Sequence, residues 1–62
     1  MTRREKQICD LLLKRRSIKQ IAGELKISVN TIRVHLRNIY QKNRLYGLPD
    51  LIIFLLSPKQ KN

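Results

Sequence analysis

The stretch Ser28–Lys42, SVNTIRVHLRNIYQK, decides the fold of this chain because it carries two different faces at helical spacing. Apolar residues recur on one side, mostly three or four positions apart, as on the buried side of an amphipathic helix. The opposite side is polar and basic, with one small apolar residue. The apolar side holds Val29, Ile32, Leu36, Ile39 and Tyr40, and the opposite side holds Asn30, Arg33, Val34, Arg37 and Gln41.

The polar face of this predicted helix contains no acidic residue, since no Asp or Glu occurs between Ser28 and Leu48. Exposed helix faces usually mix both signs of charge, so a basic face without acids indicates an anionic partner. The whole chain agrees, because 14 Lys and Arg against 4 Asp and Glu give a net charge of +10. Such a charge is typical of domains that bind nucleic acid or an anionic membrane surface.

The small size of the chain limits its chemistry. Its 62 residues can form one domain of three or four helices around a thin core. The four acidic residues are scattered, His35 has no Ser or Cys partner in a recognisable motif, and no glycine-rich phosphate loop is present. We therefore expect no enzymatic activity, no cofactor and no small-molecule ligand in this domain.

The single cysteine points to a reducing environment. Cys9 can form neither an internal disulfide nor a zinc site of paired cysteines. We expect the inward side of the first helix to consist of Ile8, Cys9, Leu11, Leu12 and Leu13. Cys9 is therefore predicted to be a core residue and not a reactive thiol. Residues 1–20 show no signal-peptide pattern. These features predict a cytoplasmic location and no bound metal.

Start and stop signals predict the other helices. Thr2 and Ser17 each stand three residues before a Glu or Gln, which is the capping-box pattern of a helix start. Asn43 suits a left-handed helix end, and Pro49 suits the first turn of the next helix. We predict an all-α domain over 1–57 and a flexible tail over 58–62. The predicted helices cover about 2–14, 17–25, 28–42 and 48–56.

The second and third predicted helices are joined by only about three residues. A connection this short does not let them lie antiparallel, so they must cross steeply, as in a helix-turn-helix unit. The first turn of the second helix then offers free backbone N–H groups, the hydroxyl of Ser17 and the ammonium of Lys19, a combination that binds phosphate well.

The fourth predicted helix contains six consecutive apolar residues, Leu51–Leu56. It is far shorter than the roughly 20 residues needed to cross a membrane. A helix that is apolar all round must be covered all round, either by a second copy of itself or by folding under its own domain. We expect a homodimer. Its predicted interface consists of Leu48, Leu51, Ile52 and Leu55.

Six blocks of residues at fixed spacing form a further pattern. They are Thr2–Glu5, Leu11-Leu12, Ser17–Ala22, Leu25–Ser28, Thr31–His35 and Asn38-Ile39. Over about residues 1–52 the pattern resembles the LuxR/GerE-type DNA-binding domain of bacterial response regulators and quorum-sensing regulators. The resemblance implies four helices, of which the second and third form the helix-turn-helix, the third enters the major groove and the fourth commonly pairs two subunits.

The resemblance also implies roles for single residues. Arg33, Val34 and Arg37 fall where the family usually reads bases. The chemistry agrees, since Arg can bond guanine O6 and N7 together and Val can touch a thymine methyl. Lys19, Asn30 and Thr31 fall where family members hold phosphates. Ser17, His35 and Lys42 complete the predicted phosphate-contacting set, and we favour this role of His35 over metal ligation.

Several positions depart from the family pattern, among them Ile18, which replaces a frequent Asn, and Gly47–Asp50, which differs from the usual polar start of the fourth helix. Arg15 and Arg44 stand where the family often has glycine, and Arg15 is expected to take an unusual backbone conformation. Both a stand-alone regulator and the output domain of a larger response regulator fit the chain.

The leading hypothesis is a dimeric, sequence-specific regulator of transcription that binds double-stranded DNA in the bacterial cytoplasm and is nucleoid-associated when bound. The resemblance adds RNA polymerase as a candidate partner. The alternative is a small protein-interaction module that works through its fourth helix and has only nonspecific attraction to nucleic acid. A membrane-surface peptide fits less well, because the basic face and the apolar run lie on different helices.

Overall fold

The computed structural model describes residues 1–57, which fold into four α-helices joined by short turns. The helices are α1 Arg3–Leu13, α2 Ile18–Leu25, α3 Val29–Asn43 and α4 Leu48–Leu56. No strand occurs within 1–57, so the predicted all-α architecture is confirmed. The predicted tail over 58–62 lies outside the described residues.

The helices α1 and α2 begin at the predicted capping residues Thr2 and Ser17, and α3 begins after Ser28, whose hydroxyl accepts a hydrogen bond from the Thr31 N–H at 3.0 Å. The Thr2 hydroxyl accepts a hydrogen bond from the Glu5 N–H at 3.1 Å, and the Glu5 carboxylate accepts one from the Thr2 N–H at 3.1 Å. Ser17 and Gln20 form the same reciprocal pair before α2. These bonds satisfy backbone donors that have no partner within the helix, which fixes where each helix starts.

Three helices also share one type of ending. After α1, α2 and α3 the chain passes through a residue at positive φ: Arg15 at 65°, Lys26 at 58° and Arg44 at 56°. The N–H of the following residue then bonds to the carbonyl five positions back, at 2.8–3.1 Å. This closes the last turn and satisfies one of its free carbonyls. The unusual backbone expected at Arg15 is present.

The left-handed conformation at these ends carries a cost. For residues with a Cβ it is less favourable than the right-handed one by about 1–2 kcal/mol each. Asn43, predicted to be the left-handed residue after α3, is instead the last helical residue, and its side-chain amide donates to the Ile39 carbonyl at 2.9 Å. Arg44 takes the left-handed position.

The core is drawn from all four helices, and α1 packs against each of the other three. Its fully buried side chains are Ile8, Ile21, Ile32, Ile39 and Leu51. Burial raises the pKa of the Cys9 thiol, which keeps it neutral at pH 7, in line with its predicted core position. Leu13, predicted to face inward, is 40% exposed because it lies off the buried stripe of α1.

The fourth helix presents a different surface from the one predicted. Leu51 has no exposed area because it packs into the core, so its predicted place in a dimer interface is wrong. Leu48, Ile52 and Leu55 are half-buried against the core. The most exposed apolar side chains of α4 are Ile53 and Leu56, each 68% exposed. Within residues 1–57, no helix combines the length and apolar content needed to cross a bilayer.

Candidate nucleic-acid interface

The outer face of α3 is a basic helix surface that contains no acidic residue. Its inner stripe packs Ile32, Leu36 and Ile39 into the core, which orients the opposite side toward solvent. Val34 is 44% exposed between two exposed arginines. Exposed side chains on this surface, called the α3 face below, are Asn30, Arg33, Val34, Arg37 and Gln41.

Arg33 and Arg37 are free to bind a ligand. They lie four residues apart on α3, which separates them by about 6 Å along the helix axis and directs them to the same side. Within residues 1–57, neither guanidinium forms an ion pair or a hydrogen bond. Each can therefore offer all of its five N–H donors to a ligand. Their mutual repulsion also favours an anion between them.

Acidic groups are held away from the α3 face. Glu5 and Glu24 form ion pairs with Lys42 and Arg16, respectively. Asp50, in the first turn of α4, accepts a hydrogen bond from the Tyr46 N–H at 3.0 Å. Asp10 lies on α1, next to an open groove between α1 and α2 that Glu24 also lines. The positive potential of the α3 face is therefore not offset by a carboxylate on the same helix.

The predicted phosphate-contacting residues occupy two helix starts. Lys19 lies exposed in the first turn of α2, beside the N-cap residue Ser17. At the start of α3, Asn30 is exposed and the Thr31 hydroxyl lies 2.9 Å from the Ser28 hydroxyl. His35 is half-buried farther along α3. Free backbone N–H groups and the helix dipole make such starts favourable places for phosphate oxygens.

Lys42, the remaining member of the predicted set, has a different partner in the structure. Its ammonium group lies 2.9 Å from both carboxylate oxygens of Glu5, whose side chain is only 4% exposed. The hydrogen bond from Lys42 is the main cause that lowers the pKa of Glu5, against the opposing effect of burial. The bond joins the start of α1 to the end of α3, and we assign Lys42 a structural role.

A helical pattern in the sequence could have revealed this ion pair. Glu5 lies three, four and seven residues before Ile8, Cys9 and Leu12, so it continues the buried stripe of α1. A carboxylate on such a stripe needs a nearby cation, because an unpaired buried charge is strongly unfavourable. The stripe indicates that a cation is required, but only the packing of α3 against α1 identifies it as Lys42.

The described chain shows no cluster of side chains suited to metal binding. Within 1–57, no three His, Cys, Asp or Glu residues lie close enough together to hold a metal ion. The groove between α1 and α2 has a volume of about 280 Å³ and is open to solvent. Its lining residues are Gln7, Asp10, Leu11, Glu24 and Leu25, whose two carboxylates would repel a nucleic acid.

Comparison with models of known protein families shows which family the chain belongs to. Residues 1–55 match the family model GerE, described as bacterial regulatory proteins of the luxR family. A comparison with solved structures gave no match. The match includes the capping boxes, the turn between α2 and α3, and the whole α3 face. The chain therefore belongs to the luxR family of bacterial regulatory proteins and forms its DNA-binding helix-turn-helix domain.

Proposed function

We propose that this domain is a sequence-specific regulator of transcription that places α3 in the major groove of double-stranded DNA. The observation that carries the proposal is the α3 face, with two unpaired arginines on either side of an exposed valine and no acidic residue. An α-helix fits the width of the major groove of B-form DNA. Arg33 and Arg37 then read guanine edges, and Val34 contacts a thymine methyl.

Phosphate contacts position the helix in this proposal. Lys19, the start of α2 and the start of α3 hold phosphates of the DNA backbone. Such contacts fix the register of a protein on the duplex without reading its sequence. The proposed contacts are Ser17, Lys19, Asn30, Thr31 and His35.

We also propose that two copies bind DNA together through α4. Ile53 and Leu56 are each 68% exposed, and Ile52 is half-buried against the core. Adjacent apolar side chains on one short helix are well suited to a two-fold contact, in which the same surface serves both subunits. Contact with RNA polymerase stays a prediction from the family resemblance, and a stand-alone regulator and the output domain of a larger response regulator both stay open. The proposed place of action is the bacterial cytoplasm, at the nucleoid.

Selection of bound sequences from a random pool of duplex DNA tests the proposed function. We expect an enriched half-site, repeated with two-fold symmetry about 10 base pairs from centre to centre. Binding to the enriched site should survive about 150 mM salt, where binding to random DNA becomes weak. If no sequence is enriched, the protein-interaction alternative is favoured.

Replacement of Lys19 with alanine should weaken binding to all DNA sequences alike. A lysine on a phosphate releases about one counterion when it binds, so its loss should make the plot of log affinity against log salt less steep by about 0.9. Titrations of the selected site and of random DNA at several salt concentrations measure this change. The Lys6→Ala variant removes an exposed charge from α1 and should leave the slope unchanged. A loss confined to the selected site would contradict the phosphate role of Lys19.

Replacement of Ile53 with glutamate should prevent cooperative binding of two copies. The side chain is 68% exposed, so the change should leave the fold intact while it places like charges across the proposed two-fold axis. Binding isotherms on DNA with one and with two half-sites measure the cooperativity. The Leu13→Glu variant, at an exposed leucine of α1, is the control. Unchanged cooperativity in Ile53→Glu would rule out this surface as the subunit contact.

A further inference from the structure

The three residues at positive φ in the described chain are all basic: Arg15, Lys26 and Arg44. Each lies one or two residues after the end of a helix, and the N–H of the next residue bonds to the carbonyl five positions back. The conformation itself favours glycine, and next asparagine, because a longer side chain crowds the backbone there. Arginine and lysine therefore occupy positions where the backbone geometry disfavours them.

No side-chain contact of these three residues within the described fold offsets this strain. The side chains of Arg15, Lys26 and Arg44 are exposed, and within 1–57 none forms a hydrogen bond or an ion pair. Their neighbours behave differently, since Arg16 pairs with Glu24 at 2.8 Å and Lys42 pairs with Glu5. In a chain of net charge +10, three more unpaired positive charges also increase self-repulsion.

Attraction to the helix dipole does not explain these residues. A cation at a helix end obtains the same benefit at negative φ, as does Lys14, the C-cap residue of α1, at φ −86°. The strain at Arg15 adds nothing to that benefit. The three charges are therefore better explained by a partner outside the described fold.

Their positions point to the same partner as the α3 face. The helix-turn-helix unit runs from Ser17, the N-cap of α2, to Asn43, the last residue of α3. Arg15 precedes the unit by two residues, Lys26 lies in its turn, and Arg44 follows it directly. Arg15, Lys26 and Arg44, called the corner residues below, thus lie at both ends and in the middle of the segment that is proposed to contact DNA.

We infer that Arg15, Lys26 and Arg44 are contacts to the DNA backbone, kept at the expense of folding stability. This inference rests on the proposed function, because its partner is duplex DNA. It adds three positively charged contacts to those at the helix starts. The basic surface that contacts DNA then extends to both ends and to the turn of the helix-turn-helix unit. It implies opposite effects on stability and on binding when a corner residue becomes glycine.

The test replaces each corner residue with glycine, singly and together. Relief of the left-handed strain should raise the melting temperature of each single variant by a few degrees. Loss of each phosphate contact should reduce the slope of log affinity against log salt by about 0.9, and by about 2.7 in the triple variant. Both quantities are measured on the full chain, with the selected DNA site and with random duplex DNA.

Three controls separate the causes of these effects. The variants Arg15→Lys, Lys26→Arg and Arg44→Lys keep charge and strain, and should bind like the original protein. Gly23→Ala in α2, where an added Cβ meets no atom within 4 Å, should raise stability without changing the salt slope. Lys6→Gln removes one exposed charge from α1 and should leave the slope intact.

The possible outcomes are distinct. Greater stability with a smaller salt slope supports the inference. Greater stability with an unchanged salt slope overturns it. Lower stability also overturns it, because the three charges would then act by stabilising the helix ends. An equal change of slope in Lys6→Gln also overturns it, because only net charge would then matter. If the original chain binds no duplex DNA, the proposed function itself fails, and this result is seen before any variant is compared.

Discussion

Replacement of Lys42 with methionine is expected to destabilise the folded domain by about 2–3 kcal/mol at neutral pH. The change keeps the aliphatic stem but leaves the Glu5 carboxylate, 4% exposed, without its cation. Loss of one partner from a fully buried ion pair costs about 3–5 kcal/mol, and the half-exposed Lys42 reduces this figure. Urea denaturation at pH 7 measures the loss.

The pH dependence gives a second readout of the same ion pair. Because the folded-state pKa of Glu5 is lowered, chiefly by Lys42, its contribution is fully present above the unfolded value of about 4.3. It is lost as the pH falls from there through the folded-state pKa. In Lys42→Met the main cause of the low pKa is gone. Acidification from neutral pH to about pH 3 should therefore reduce its stability less than that of the original protein.

Two variants separate the ion pair from a general loss of charge. Lys6→Met removes an exposed lysine of α1 and should change stability by less than about 0.5 kcal/mol. The double variant Glu5→Gln with Lys42→Met should be more stable than Lys42→Met alone. Glutamine can still accept the Thr2 N–H, while no unpaired charge remains buried. If Lys42→Met lost no more stability than Lys6→Met, the pair would be only a weak surface contact.

Replacement of Arg33 or Arg37 with alanine is expected to weaken binding to the selected DNA site by about 1–3 kcal/mol each. This corresponds to a loss of roughly 5- to 150-fold. The preference for one base should relax at a single position of the half-site, because the two-bond contact of the guanidinium with one guanine is lost. Random DNA should lose less affinity, since it does not make this contact.

Lysine variants provide the matched control for the arginines. Arg33→Lys and Arg37→Lys keep the positive charge but not the planar fork that bonds O6 and N7 together. They should lose preference at the same base position while they keep most of the affinity for random DNA. Repeated selection with each variant, together with binding titrations, measures both effects. Equal losses on selected and random DNA in the alanine variants would assign these arginines to phosphates instead of bases.

Much of the fold was predictable because its signals are local. The Thr2 and Ser17 capping boxes each lie within four consecutive residues, and both form as predicted. The buried stripe of α3 repeats at helical spacing, so Ile32, Leu36 and Ile39 were assigned to the core correctly. The same spacing predicts an outward direction for Arg33 and Arg37, which the structure confirms.

The wrong predictions concern positions where the neighbouring sequence does not determine which side is buried or where a helix ends. Leu51–Leu56 is apolar at every position, so its sequence has no periodicity to show which side faces α1. Packing places Leu51 inside and Ile53 and Leu56 outside. At the end of α3, Asn43 favours a left-handed conformation locally, yet the helix continues one residue farther and Arg44 takes that position.

The sequence by itself determined the all-α class, the positions of the helix starts and the basic α3 face, since each depends on residues close together along the chain. Only the tertiary structure decided that Lys42 neutralises Glu5, 37 residues away. It also decided which side of α4 stays exposed. Both depend on how α1 packs against α3 and α4, because the free energy of burying a charge or an apolar side chain is set by neighbours distant in sequence.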